Sequence, residues 1–159
     1  MTDTTETIRL ILPGANRHSG FLGLKVEVFM IICTELRIIF AHQTAEMMRE
    51  NVKQARLQAE AQGKGFFGKW GAQLGANSGR KYWEKEPEQI LAEQPDNFAI
   101  QREDLRSIRL REEYNGEDAS TTHRIEFETT TGKHKFRLGD INAREYKKQL
   151  QAVYGGIVR

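Results

Sequence analysis

Few side chains in this chain have the type and spacing that chemistry needs. Its four histidines, His18, His42, His123 and His134, show no His-x-x-x-His pair, and the one cysteine, Cys33, cannot supply the clustered thiolates of a zinc site. His134 sits among Lys133, Lys135 and Arg137, which repel a cation, while His42 and His123 read as strand-end or surface residues. Neither a Gly-x-Ser-x-Gly elbow nor a phosphate-cradling Gly-x-x-x-x-Gly-Lys-[Ser/Thr] loop occurs. Gly63, Gly65 and Gly68 are spaced loosely like a nucleotide loop, but they follow a predicted helix rather than a strand. Acid pairs such as Glu103/Asp104 and Glu112/Glu113 fall in turns or at strand edges, where solvation is the expected fate. No catalytic residue, metal ligand or cofactor site is expected, and the chain reads as a non-enzyme.

The stretch "GKGFFGKWGAQLGANSG", residues 63–79, is the first candidate for contact with something else. As a helix over 64–78 it would stack Phe66/Phe67, Trp70 and Leu74 on one narrow face, flanked by Lys64 and Lys69. Residues 63–81 carry four cations and no acid, a composition that suits an interfacial helix on an anionic membrane or a partner protein. Glycine opposes a free helix, at roughly 1 kcal/mol for each interior position. The same rings could instead cover the domain itself, where burying one is worth about 1.5–3 kcal/mol. Sequence leaves both readings open.

Two further basic sets, Arg102/Arg106/Arg109/Arg111 and Lys133/Lys135/Arg137, alternate along predicted strands. They read as solvated faces with cross-strand partners among Glu112, Glu126 and Glu128. Without interleaved exposed aromatics, and with 24 Lys+Arg against 22 Asp+Glu, a nucleic-acid partner is not expected.

The elements that must position these residues follow from periodicity. Residues 5–12 read as a strand ended by Pro13-Gly14 and the turn-like "ANRHSG". "LKVEVFMIICTELRIIFAH" breaks at Thr34-Glu35 into a hairpin, with Val26, Val28, Met30 and Ile32 on one face. Thr44 caps a helix over about 44–62, whose thin stripe of Met48, Val52, Ala55 and Ala59 suits a surface position. "RKYWEKEPEQILAEQ" adds a helical piece, so residues 43–96 form a helical, Gly-rich insertion between strands 3 and 4. Strands return with the inward pairs Ile108/Leu110, Ile125/Phe127 and Phe136/Leu138, the first two strands joined by Asn115-Gly116. Asp140 can cap a last helix with Ala143, Tyr146, Leu150 and Val153 inward, stopped at Gly155-Gly156.

At 159 residues this is one α+β domain with a self-sufficient core. Cys33 lies in the apolar run "VFMIIC" as a small buried hydrophobe, which fits a reducing compartment. The start lacks a secretion-signal pattern and no apolar segment is long enough to span a bilayer, so a cytoplasmic location is expected.

Antiparallel strands closed by one C-terminal amphipathic helix resemble the pleckstrin-homology-like superfold, and local phrases strengthen the likeness. "FMIICTELRIIFAH" is similar to the hairpin of its bacterial and GRAM-type members, and "FAIQREDLRSIRL" to their entry into a later strand. The resemblance covers residues 5–42 and 97–157. It implies an antiparallel barrel or sandwich capped by the C-terminal helix, and a binding module rather than an enzyme. Lipid-binding members carry cations in and beside the first strand-to-strand loop, where this chain has Arg17, His18 and Lys25. The expected partners are therefore an anionic membrane surface, a protein partner, or further copies of the chain in a self-assembling module that binds no lipid.

Overall fold

The computed structural model describes residues 5–62, 79–117, 120–139 and 141–159. Its strands are β1 (Ile8–Ser19), β2 (Lys25–Thr34), β3 (Arg37–Gln43), β4 (Phe98–Gln101), β5 (Leu105–Asn115), β6 (Ser120–Thr129) and β7 (Lys133–Leu138). Helices α1 (Ala45–Gln62) and α2 (Pro87–Ala92) lie between β3 and β4, and α3 (Ala143–Tyr154) follows β7. The fold is α+β, with a mostly antiparallel open sheet and a C-terminal helix.

The strands form one sheet in the order β4-β3-β2-β1-β7-β6-β5. Hydrogen-bonded neighbours are consecutive in the chain except β1 and β7, which meet at Asn16 and Arg137. The consecutive strands β4 and β5 stand at opposite ends of that order. Both nevertheless feed one core, where Phe98 and Ile100 meet Leu105, Ile108 and Leu110, so the sheet curls until its two ends face the same interior. The inward pairs expected on β5, β6 and β7 all lie in it.

Helix α3 closes one end of this core. Leu150 and Tyr154 are buried, with Ala143, Tyr146 and Val153 packed around them at helical spacing. Burying a leucine such as Leu150 contributes about 2 kcal/mol. The N-cap is Asn142, whose Oδ1 accepts from the Glu145 N–H at 3.2 Å; Asp140, the cap expected from sequence, lies outside the described residues. Gly155 at φ 70° ends the helix, after which Val158 bridges Ile108.

A second apolar layer lies on the other face of β1, β2 and β3. Ile8, Ile11, Met30, Ile32, Ile39 and Ala41 meet Tyr82 from a helical turn at 79–83 and Ile90 from α2. Gly79 lies against this layer, where a Cβ would sit 3.4 Å from Ile11 Cγ2, an ordinary contact. The Tyr82 hydroxyl accepts from Gln43 Nε2 at 2.7 Å, which satisfies the one polar atom of a fully buried ring. Covered on both faces, β2 and β3 read as continuous apolar runs, whereas β5 to β7 alternate because solvent meets their outer side.

Three expectations are corrected. Pro13-Gly14 does not end the first strand: β1 passes through it with a register shift between Leu12 and Ala15, and Gly14 takes φ 68°, so the pair makes a bulge. The turn comes at 20–24 instead. "FAIQ" is a short strand in its own right, pairing with β3 from Arg37/Gln101 to Phe40/Phe98. His123 is buried rather than superficial, with Nδ1 3.3 Å from the Gly139 carbonyl oxygen.

Candidate functional site

The turn between β1 and β2 carries the three most exposed large apolar side chains among the described residues. Phe21, Leu22 and Leu24 are 83%, 80% and 77% exposed, and Val26 at the base of β2 is exposed beside them. The tip is an ordered turn, with Gly23 N–H donating to the Gly20 carbonyl and Leu24 N–H to that of Phe21, both at 3.2 Å. Gly20 and Gly23 supply positive φ without strain. Leu22, at φ 56° and ψ 20°, does not, and a side chain held in that left-handed region costs about 1–2 kcal/mol. Leu22 recovers none of this by burial.

Three more features lie along the same edge of the sheet. Since β1 pairs antiparallel with β2 and β7, and β2 with β3, the β1–β2 tip shares its edge with the start of β7 and the end of β3. Lys133 and Lys135 are exposed there. From the end of β3 the chain enters α1, capped by Thr44 Oγ1 accepting from the Met47 N–H at 3.2 Å. Met48, Val52 and Leu57 on α1 are exposed, in keeping with the surface position expected for this helix.

The three cations expected around this loop do not converge. Arg17 turns inward: its guanidinium lies 4.7 Å above the Phe29 ring and 5.6 Å from that of Phe98, and Nη2 donates to Glu27 Oε1 at 3.2 Å. Burial pushes the Glu27 carboxyl up, but the Arg17 hydrogen bond and charge, with Lys25 and Ser19, outweigh it and hold the group below its ordinary value. Successive strand residues face opposite sides, so His18 points outward, its Nδ1 3.3 Å from the Gly23 carbonyl oxygen. Lys25 is exposed at the tip.

Behind the tip, the interior end away from α3 is filled by aromatic rings. Phe98 stacks on Phe40 at 4.5 Å and lies 5.4 Å from His134. Burial, followed by the nearby Arg17 charge, lowers the His134 pKa. His42 lies against Phe29 at 5.3 Å, with Nδ1 3.5 Å from Asp96 Oδ2. Among the described residues, no three His, Cys, Asp or Glu side chains are grouped to hold a metal ion, and no helix is long and apolar enough to cross a membrane.

Lys64, Phe66, Phe67, Lys69, Trp70 and Leu74, the contact residues expected from sequence, lie outside the described residues. The exposed tip was missed because "ANRHSG" carries the turn signal and Phe21, Leu22 and Gly23 fall between it and the strand read from Leu24; the two glycines three apart were the available signal for a turn here. Of the expected cross-strand pairs, Glu126 lies 3.6 Å from Lys133 Nζ and 3.8 Å from Lys135 Nζ. Glu128 accepts from Ser107, and Glu112 stands opposite His123. Comparison with known proteins adds no template for this edge: no family model, no curated protein and no solved structure matches the chain.

Proposed function

We propose that the chain is a non-enzymatic binding module of pleckstrin-homology-like build that docks on an anionic membrane surface through its β1–β2 tip. The strand order supports the fold reading, because a chain-order meander opened between β4 and β5, joined at β1 and β7 and capped by α3, is the layout of a partly open barrel.

The observation that carries the functional reading is Leu22: an exposed leucine in a conformation that asparagine or glycine would take more cheaply, in a row with Phe21 and Leu24. Apolar side chains at a tip with Lys25, Lys133 and Lys135 on the same edge suit a surface of acyl chains beneath anionic headgroups. Lys64, Phe66, Phe67, Lys69, Trp70 and Leu74 would add to that contact if the 63–79 segment meets the same surface.

Co-flotation with phosphatidylserine-containing and neutral vesicles tests the proposal. Recovery with the anionic vesicles supports it. A chain that stays at the bottom with both, and instead grows in size with concentration, would point to self-association through the same tip.

A further inference from the structure

Arg111 on β5, Arg124 on β6 and Arg137 on β7 stand directly opposite one another, and Asn16 on β1 completes the row. Leu110, Ile125 and Phe136 beside them point into the core, so the arginines occupy the outer face. Like charges directly opposite destabilise a sheet. The next row follows the stabilising pattern instead, with Arg109 opposite Glu126 and Glu126 opposite Lys135. Among the described residues the arginine row has one carboxylate partner, Glu113 Oε1, 3.1 Å from Arg124 Nε.

The row borders a cleft at the short β1–β7 junction. Its volume is about 170 Å³, and Asn16, His18, Arg124, Lys135, Phe136 and Arg137 line it. No carboxylate lines it, though two touch its lining residues: Glu113 lies 3.1 Å from Arg124 Nε and Glu126 3.8 Å from Lys135 Nζ. Glu113 anchors Arg124 through Nε, which fixes the guanidinium plane while its terminal nitrogens remain able to donate. Arg137 brings a second planar fork, Lys135 a point charge and Asn16 an amide.

We propose that this cleft binds a phosphoryl anion, held between the guanidinium groups of Arg124 and Arg137. Paired planar donors match phosphate oxygens, and the bound anion would remove the repulsion that the row otherwise carries. The group could belong to a soluble phosphate ester or to a lipid headgroup. The cleft shares Lys135 with the edge that carries the apolar tip, but its guanidinium forks, Arg124 and Arg137, and the Asn16 amide take no part in the membrane reading.

The test uses the full chain labelled for arginine Nε NMR, titrated with inorganic pyrophosphate and, separately, with phosphatidylcholine vesicles with and without phosphatidic acid. We expect saturable shifts at Arg124 and Arg137, and pyrophosphate binding weakened by about tenfold or more in Arg137→Gln. The same variant should melt at a higher temperature, which a stabilising surface residue would not do. Lys148→Gln on α3 should change neither property. Saturation by pyrophosphate identifies a soluble anion, and an Arg137-dependent response to phosphatidic acid vesicles alone identifies a headgroup; either supports the site. No saturable response to either probe, or an undiminished response in Arg137→Gln, overturns it. Pyrophosphate binding retained in Leu22→Asn would separate this site from the membrane reading.

Discussion

The Tyr154 hydroxyl on α3 donates to the Thr34 carbonyl oxygen at 2.7 Å, fastening the C-terminal helix to the turn between β2 and β3. The Arg37 carbonyl oxygen lies 3.3 Å from the same hydroxyl, and the ring is almost fully buried. Removing the hydroxyl leaves buried acceptors short of a donor. We therefore expect Tyr154→Phe to cost about 1–2 kcal/mol, or roughly 2–8 °C in thermal midpoint at the sensitivity of a domain this size, measured by calorimetry.

Arg37 links three segments. Its Nε and Nη2 donate to the two oxygens of Glu6, each at 2.9 Å, and Nη2 also reaches Glu88 Oε1 at 2.6 Å on α2. Glu6 is largely covered whereas the Glu88 side chain is 77% exposed, so water screens the second pair. Denaturant unfolding should rank the variants accordingly. Arg37→Ala should lose about 3 kcal/mol, Glu6→Gln roughly half that, and Glu88→Gln under about 1 kcal/mol.

Acid should weaken the fold in two stages. Burial and Arg17 hold the His134 pKa below its ordinary 6.5, so the unfolded chain binds the proton more readily. Stability is full above that value and declines as pH falls below it. Glu27, and Glu35 whose burial is outweighed by backbone hydrogen bonds and Arg9, are both held below 4.5; their contribution is lost as pH falls through that lower range. Unfolding free energies measured across pH should show both stages in the parent, and His134→Phe should flatten the first alone.

Cys33 lies fully buried between the β2 backbone and Tyr154, and burial pushes its thiol pKa up to about 12. A thiol-disulfide reagent at neutral pH should therefore label the native chain only as fast as it opens, and the denatured chain at once. Immediate labelling of the native protein would contradict this packing.

Much of the framework was legible because its rules are local. Alternation marked Ile125/Phe127 and Phe136/Leu138 as inward pairs, and helical spacing found Leu150 and its neighbours. Other features depended on tertiary partners. Continuous apolar runs in β2 and β3 reflect a second layer built by Tyr82 and Ile90, which no window around Met30 or Ile39 contains. Pro13-Gly14 looked like a turn because the same two residues make either a turn or a bulge, and pairing with β2 decides between them. The arginine row depends on register across three strands, so single-strand alternation suggested solvated cations without showing which ones face each other. Leu22 was hidden by the apolar sequence around it, since exposure is set by where the hairpin turns.

The most direct test of the membrane reading is vesicle binding by Leu22→Asn. Asparagine tolerates the positive φ at this position, so the variant should fold at least as stably as the parent while losing an apolar contact at the tip. Affinity for phosphatidylserine-containing vesicles, read by co-flotation over a range of lipid concentrations, should fall by about tenfold or more, because burying a leucine side chain contributes about 1.5–3 kcal/mol. Undiminished flotation by a stably folded Leu22→Asn chain would contradict the claim that this tip makes the contact.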